Sequence, residues 1–162
     1  MTNTRKLLER LPERITDYKP HPKSMAMDHL AGHIAELPGW AKETFTKEVL
    51  EFDMDSFVPF KPKSRQEVLD AFDKNSRAGR EALAAAKDED FSVIWSLKNT
   101  NGDTIFSFPR MVCYRGMVMN HIIHHRAQLG VYLRLNDIEI PGMYGPSADE
   151  MKQWEEARAH RA

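Results

Sequence analysis

The sequence predicts an all-α protein, a four-helix bundle, on three observations. Apolar residues recur at three- and four-residue spacing through four long segments. Helix-start signals stand where three of those segments begin. Strand character is confined to one stretch, residues 91–97 and 104–108, and reads as a short hairpin or extended crossover before the last long helix. Four substantial helices joined by one short and two longer connections favour a bundle. At 162 residues, the chain fits a single domain, 1–162, with a full-sized core.

Taken in order, residues 4–17 form a first helix with Leu7, Leu8, Leu11 and Ile15 on one face, kinked or divided at Pro12. The run from Tyr18 to Lys23 is extended, because each of its prolines disfavours α geometry in the residue before it. Ser24 caps a second helix that reaches about Leu37 and buries Met27, Leu30, Ile34 and Leu37. After Pro38-Gly39, residues 40–50 resume as helix, and residues 52–63, with Pro59 and Pro62, form a surface loop.

Ser64 and Glu67 make a capping box for a third helix running to about Lys87. Asn101-Gly102 between β-favouring residues is the hairpin signal. Pro109 suits the first turn of the fourth long helix, which ends near Asn136. Ser147 and Glu150 make a second capping box for a terminal helix.

Composition narrows the function classes. Lys and Arg total 23 against 24 Asp and Glu, a net charge of −1. That balance gives no electrostatic case for nucleic acid or an anionic membrane. No apolar run approaches the roughly 20 residues that span a bilayer. Residues 1–10 carry charges every few positions, without the apolar core of a signal peptide. The single cysteine, Cys113, cannot form an internal disulfide, and a cytoplasmic location is the expectation.

The chemistry concentrates on the fourth long helix. Four residues of helix advance about 400° and roughly 6 Å, so His121 and His125 stand one above the other. Imidazoles so spaced can aim nitrogens at one point, as in zinc-binding helices. His124 is about 100° away on the wheel. The stripe through the pair is Tyr114, Met117 or Val118, His121, His125, Gln128 or Leu129, and Tyr132. Two histidines do not make a metal site, and a third ligand must come from elsewhere. His29 and His33 form another i,i+4 pair on the second helix, and either can complete a three-histidine set if the two helices pack together. Cys113 reads as a buried small apolar residue, and Glu36 and Asp28 as solvated acids. Arg126, beside a core-facing stripe, calls for a buried carboxylate to anchor it.

The run Asn120-His121-Ile122-Ile123-His124-His125-Arg126-Ala127-Gln128-Leu129-Gly130-Val131-Tyr132-Leu133-Arg134, with Ile140-Pro141-Gly142 and Tyr144-Gly145-Pro146, closely resembles the DinB family. So do Leu8-Glu9-Arg10-Leu11-Pro12-Glu13, Pro20-His21-Pro22-Lys23-Ser24, and the segment from His29 to Trp40. The likeness covers about residues 4–150. It implies an up-down-down-up four-helix bundle, often a homodimer, with one metal-ligating histidine on helix two and two on helix four. Carried onto this chain, these resemble His33, His121 and His125, with His33 preferred to His29 for its more apolar neighbours.

The metal so implied is a divalent transition ion, zinc or nickel first and iron or manganese next, which three-histidine chemistry does not separate. Some relatives resemble thiol-dependent S-transferases and isomerases. The leading expectation is therefore a metal-dependent enzyme of that kind, acting on a small molecule. A low-molecular-weight thiol would be its cofactor, with Tyr114, Gln128 and Tyr132 lining the pocket. The other expectations are a non-catalytic, metal-binding, dimerising stress protein and a metal-dependent hydrolase.

Overall fold

We describe the protein from a computed structural model over residues 1–53 and 55–160. Helices pack beside a three-stranded mixed sheet, and this overturns the all-α bundle. The hairpin is present: β2 (Ile94–Lys98) and β3 (Thr104–Pro109) pair antiparallel, with Trp95 opposite Phe108. Its turn is held by Asn99, whose Oδ1 accepts from the amides of Asn101 and Asp103, and Gly102 supplies a φ of +88°. What makes it a sheet is β1, Val49–Glu51, which runs parallel to β2 with Leu50 opposite Leu97. Three residues are too few to show a two-residue period, and their partner lies far along the chain. Parallel pairing has no local turn to announce it.

The N-terminal segment also departs from expectation. Helix α1 covers only Thr2–Leu8, ahead of Pro12, yet Leu11 and Ile15 remain buried. The chain after it extends: the Ile15 amide donates to the Lys63 carbonyl and the Arg65 amide to that of Glu13. Helix α2 is Met27–Glu36, starting at Ala26 with no side-chain cap. Its first amides are satisfied by this extended segment, Met27 N–H donating to Tyr18 O and Asp28 N–H to Thr16 O. A 3₁₀ turn, Leu37–Gly39, leads directly into α3, Trp40–Thr46.

Helix α4 (Arg65–Ala85) begins at Ser64, whose Oγ accepts from the Glu67 amide, while the Glu67 carboxylate accepts from Lys63. Gly79 lets it approach the 3₁₀ turn and α3, since a Cβ there would run into the Pro38 carbonyl and crowd Ala41. The last long helical run is continuous but not uniform. It consists of α5 (Arg110–Cys113), a seven-residue π segment (Tyr114–Asn120) and α6 (His121–Arg134). Helix α7, Ala148–Ala159, carries a complete capping box between Ser147 and Glu150.

The main core joins Leu8 of α1, Leu30 and Ile34 of α2, Val68 and Phe72 of α4, and Leu129 and Leu133 of α6. Each such aliphatic side chain, removed from water, contributes about 1.5–3 kcal/mol. A second cluster, Leu37, Ala41, Val118 and Ile122, joins the end of α2 to the start of α6. Together the two clusters clamp α2 against α6, and the functional side chains lie between them. Among the described residues, no helix is long and apolar enough to cross a membrane.

Candidate metal centre

The clamp brings His33 of α2 against His121 and His125 of α6. The ring centroid of His33 lies 4.9 Å from that of His121 and 4.7 Å from that of His125. One ligand nitrogen from each of the three falls within 4.8 Å of the other two. His29, one turn earlier on α2, is partly buried but outside this group, and so is the exposed His124. The residue that faces α6 is thus the one flanked by Leu30, Ile34 and Leu37, all fully or almost fully buried.

The other ring nitrogens define which atoms are free. The His121 amide bonds to the Val118 carbonyl, not to that of Met117 four residues back. The Met117 carbonyl instead lies 3.3 Å from His121 Nδ1. A carbonyl only accepts, so Nδ1 carries the proton and Nε2 presents a lone pair. His125 Nδ1 lies 2.7 Å from Gln128 Oε1 and, donating there, likewise leaves Nε2 free. The Nε2 atoms of His33 and His121 are 3.3 Å apart.

All three imidazoles are held neutral. Burial is the first cause for each. It combines with the neighbouring His125, His121 and His29 to bring His33 down to about 4. His121 and His125 are lowered as well, against the opposing hydrogen bonds to Met117 and Gln128.

Other singled-out residues fall elsewhere. Tyr114 is half-buried against the Leu37–Ala41–Val118–Ile122 cluster, edge-on to Phe45, and burial pushes its phenol up. Tyr132 is in the main core, its hydroxyl donating to the Met25 carbonyl at 2.9 Å. Cys113 is buried under the sheet, and burial raises its thiol, so it is no poised thiolate. Glu36 is half-buried, raised by burial, and lines a separate cleft with Trp40 and Lys74. Arg126 departs from expectation: it is buried, but its partners are the hydroxyls of Thr4 and Tyr144, not a carboxylate. No residue type marks the Met117 carbonyl as a partner, because the π segment is what frees it for the ring.

The sequence model of the DinB family matches residues 2–157. The chain belongs to the DinB family. Among solved structures it is similar to a DinB-like protein from Bacillus cereus ATCC 10987, with 25% identity and a TM-score of 0.67 over 88% of this chain and 89% of that one. A DinB-like protein from Bacillus subtilis, YjoA, has the same fold at 17% identity, with a TM-score of 0.64 over 88% of this chain and 90% of that one. A search of curated proteins found no match.

The donor set of this DinB chain fits a transition metal. With bonds of about 2.1 Å to imidazole nitrogen, two ligands of a tetrahedral ion sit roughly 3.4 Å apart, and the His33–His121 pair is at 3.3 Å. His121 and His125, each with Nδ1 donating and Nε2 unprotonated, are in the form that binds a metal.

Proposed function

We propose that this DinB protein binds one divalent transition ion through His33, His121 and His125 and uses it as a thiol-dependent transferase. The observation that carries the reading is the convergence of three neutral imidazoles, two of them oriented through Nδ1 by Met117 and Gln128. Zinc or nickel suits this all-nitrogen set first, iron or manganese next. A three-histidine ion with an open position supplies Lewis acidity and lowers the pKa of a bound thiol or water. The chain's own part is to hold the rings. Gln128 sets the tautomer and direction of His125, and the half-buried Tyr114 packs beside Val118, itself one turn before His121.

A hydrolase reading is weaker. Among the described residues no carboxylate hydrogen-bonds to any of the three rings, and water attack ordinarily calls for a general base. A thiolate needs none once formed. Metal binding without turnover is the second reading, favoured by the same absence, among the described residues, of a carboxylate hydrogen-bonded to the rings. We read the protein as cytoplasmic, with Cys113 a free thiol. We also read it as a homodimer through the exposed Ile94, Phe108, Met111 and Val112 at the junction of sheet and helix, which sedimentation velocity checks.

The deciding experiment is metal analysis of untagged wild type and His125→Ala, followed by cobalt replacement and thiol titration. One ion per chain, lost in the variant, together with a thiol-dependent shift of the cobalt spectrum, supports the transferase. Metal without any thiol response moves the protein to the non-catalytic reading. A wild type that neither carries nor takes up metal ends both.

A further inference from the structure

Helix α6 carries a second polar feature, on a different side from the imidazoles. Arg126 follows His125 by one residue, about 100° round the helix, and is only 8% exposed. A guanidinium so buried is ordinarily matched by a carboxylate, because it cannot shed its charge. Here Nη1 donates to Thr4 Oγ1 at 3.2 Å and Nη2 to the Tyr144 hydroxyl at 2.6 Å, with the Tyr144 ring centroid 5.4 Å away. Both partners are neutral. Among the described residues, no carboxylate pairs with Arg126.

The guanidinium lines a groove of about 470 Å³, walled by Leu7, Ile123, Val131, Leu135 and Met143 and by Tyr144. The other cation of the groove, Arg134, is neutralised by Asp149 through two hydrogen bonds of 2.9 and 2.6 Å. An apolar trough therefore contains one uncompensated positive charge. From Ile123 to Leu135 it follows roughly 18 Å of helix.

We propose that this groove binds a carboxylic acid carried on an apolar chain, its carboxylate against Arg126 and its chain along the Ile123–Leu135 side. Charge selects the occupant. A single free guanidinium matches a monoanion, and three of its five N–H groups remain to donate. The Tyr144 hydroxyl accepts from Arg126, so its own proton is free for the same carboxylate. A second copy of this helix does not satisfy the charge, since the chain has no acidic residue from Arg110 to Arg134. The inference is independent of the metal.

The test is calorimetric titration of the full chain with decanoate, and with decanol as an uncharged probe of the same length. Expected is saturable decanoate binding, one per chain, at least about 10-fold tighter than decanol. Arg126→Met should weaken decanoate by about 10-fold or more and leave decanol unchanged. Gly130→Leu is a second variant that preserves the fold: a Cβ there meets nothing within 4 Å, and the residue lines the groove. It should weaken both probes by filling the trough. Equal affinity for the two probes, or no binding of either, overturns the proposal. So does a dimeric wild type that Gly130→Leu renders monomeric, which would assign the groove to a second copy.

Discussion

Two sides of α6 bury polar groups of opposite character, and the contrast lies in how each group can answer burial. On one side, desolvation drives His121 and His125 to their neutral forms, as it does His33 across the interface. An imidazole can answer burial by losing its proton, and what remains is a lone pair ready for a metal. On the other side Arg126 has no such exit, since a guanidinium stays protonated. Its burial leaves a charge softened by two hydroxyls and the face of the Tyr144 ring, with no carboxylate beside it among the described residues. The same helix thus offers electron pairs on one side and a demand for an anion on the other.

The largest effect should come from His125→Ala, and equally from His33→Ala or His121→Ala. Each removes a ligand, and metal affinity should fall by more than the roughly 10–100-fold that loss of an outer hydrogen-bond partner costs. Competition with a chromogenic chelator measures it. Gln128→Leu should fall within that 10–100-fold range. Gln128 is exposed, so its loss leaves the fold intact while freeing the His125 ring to turn. Unchanged affinity in this variant would mean that the 2.7 Å contact does not orient the ring.

On the other side, removing a partner and removing the charge should have opposite consequences. Thr4→Val strands a charged donor in a buried site and should cost about 1–3 kcal/mol. Arg126→Met removes the charge itself and should cost less, or stabilise. Urea denaturation of both variants compares them. If Arg126→Met is the more damaging, the guanidinium is better satisfied than its two hydroxyl partners indicate.

A further effect is on pH dependence, and between pH 7.5 and 5 the imidazole side should show it. The folded pKa of His33, about 4, lies below its unfolded value near 6.5. Between those values the unfolded chain binds the extra proton, so stability is complete above about pH 6.5 and is lost as pH falls towards 4. Metal-free protein should therefore show a lower urea midpoint at pH 5 than at pH 7.5, and His33→Leu should flatten the difference. Asp149, lowered to about 2 mainly by its hydrogen bonds with Arg134, acts in a separate window below pH 4. A midpoint that is flat from pH 7.5 to 5 would mean the three rings are better hydrated than their packing implies.

The residues that were legible early are those whose relation is local. The i,i+4 spacing of His121 and His125 is a property of any helix. The cap at Ser64, the box at Ser147 and Glu150, and the Asn101-Gly102 hairpin are local as well. The family likeness pointed to His33, but nothing between residues 29 and 33 by itself shows which ring will face α6.

What the sequence determined alone was periodicity: the helices, the hairpin, and a pair of imidazoles on one stripe. Tertiary structure decided the rest, because each remaining feature depends on residues far apart in the chain. Packing of α2 against α6 brings in His33 and expels the water that would otherwise keep it basic. The parallel pairing of Leu50 with Leu97 turns a hairpin into a sheet. The π segment, which no residue type announces, turns the Met117 carbonyl towards a histidine. The encounter of Arg126 with Thr4, 122 positions away, leaves a charge without a counterion where an acid was expected.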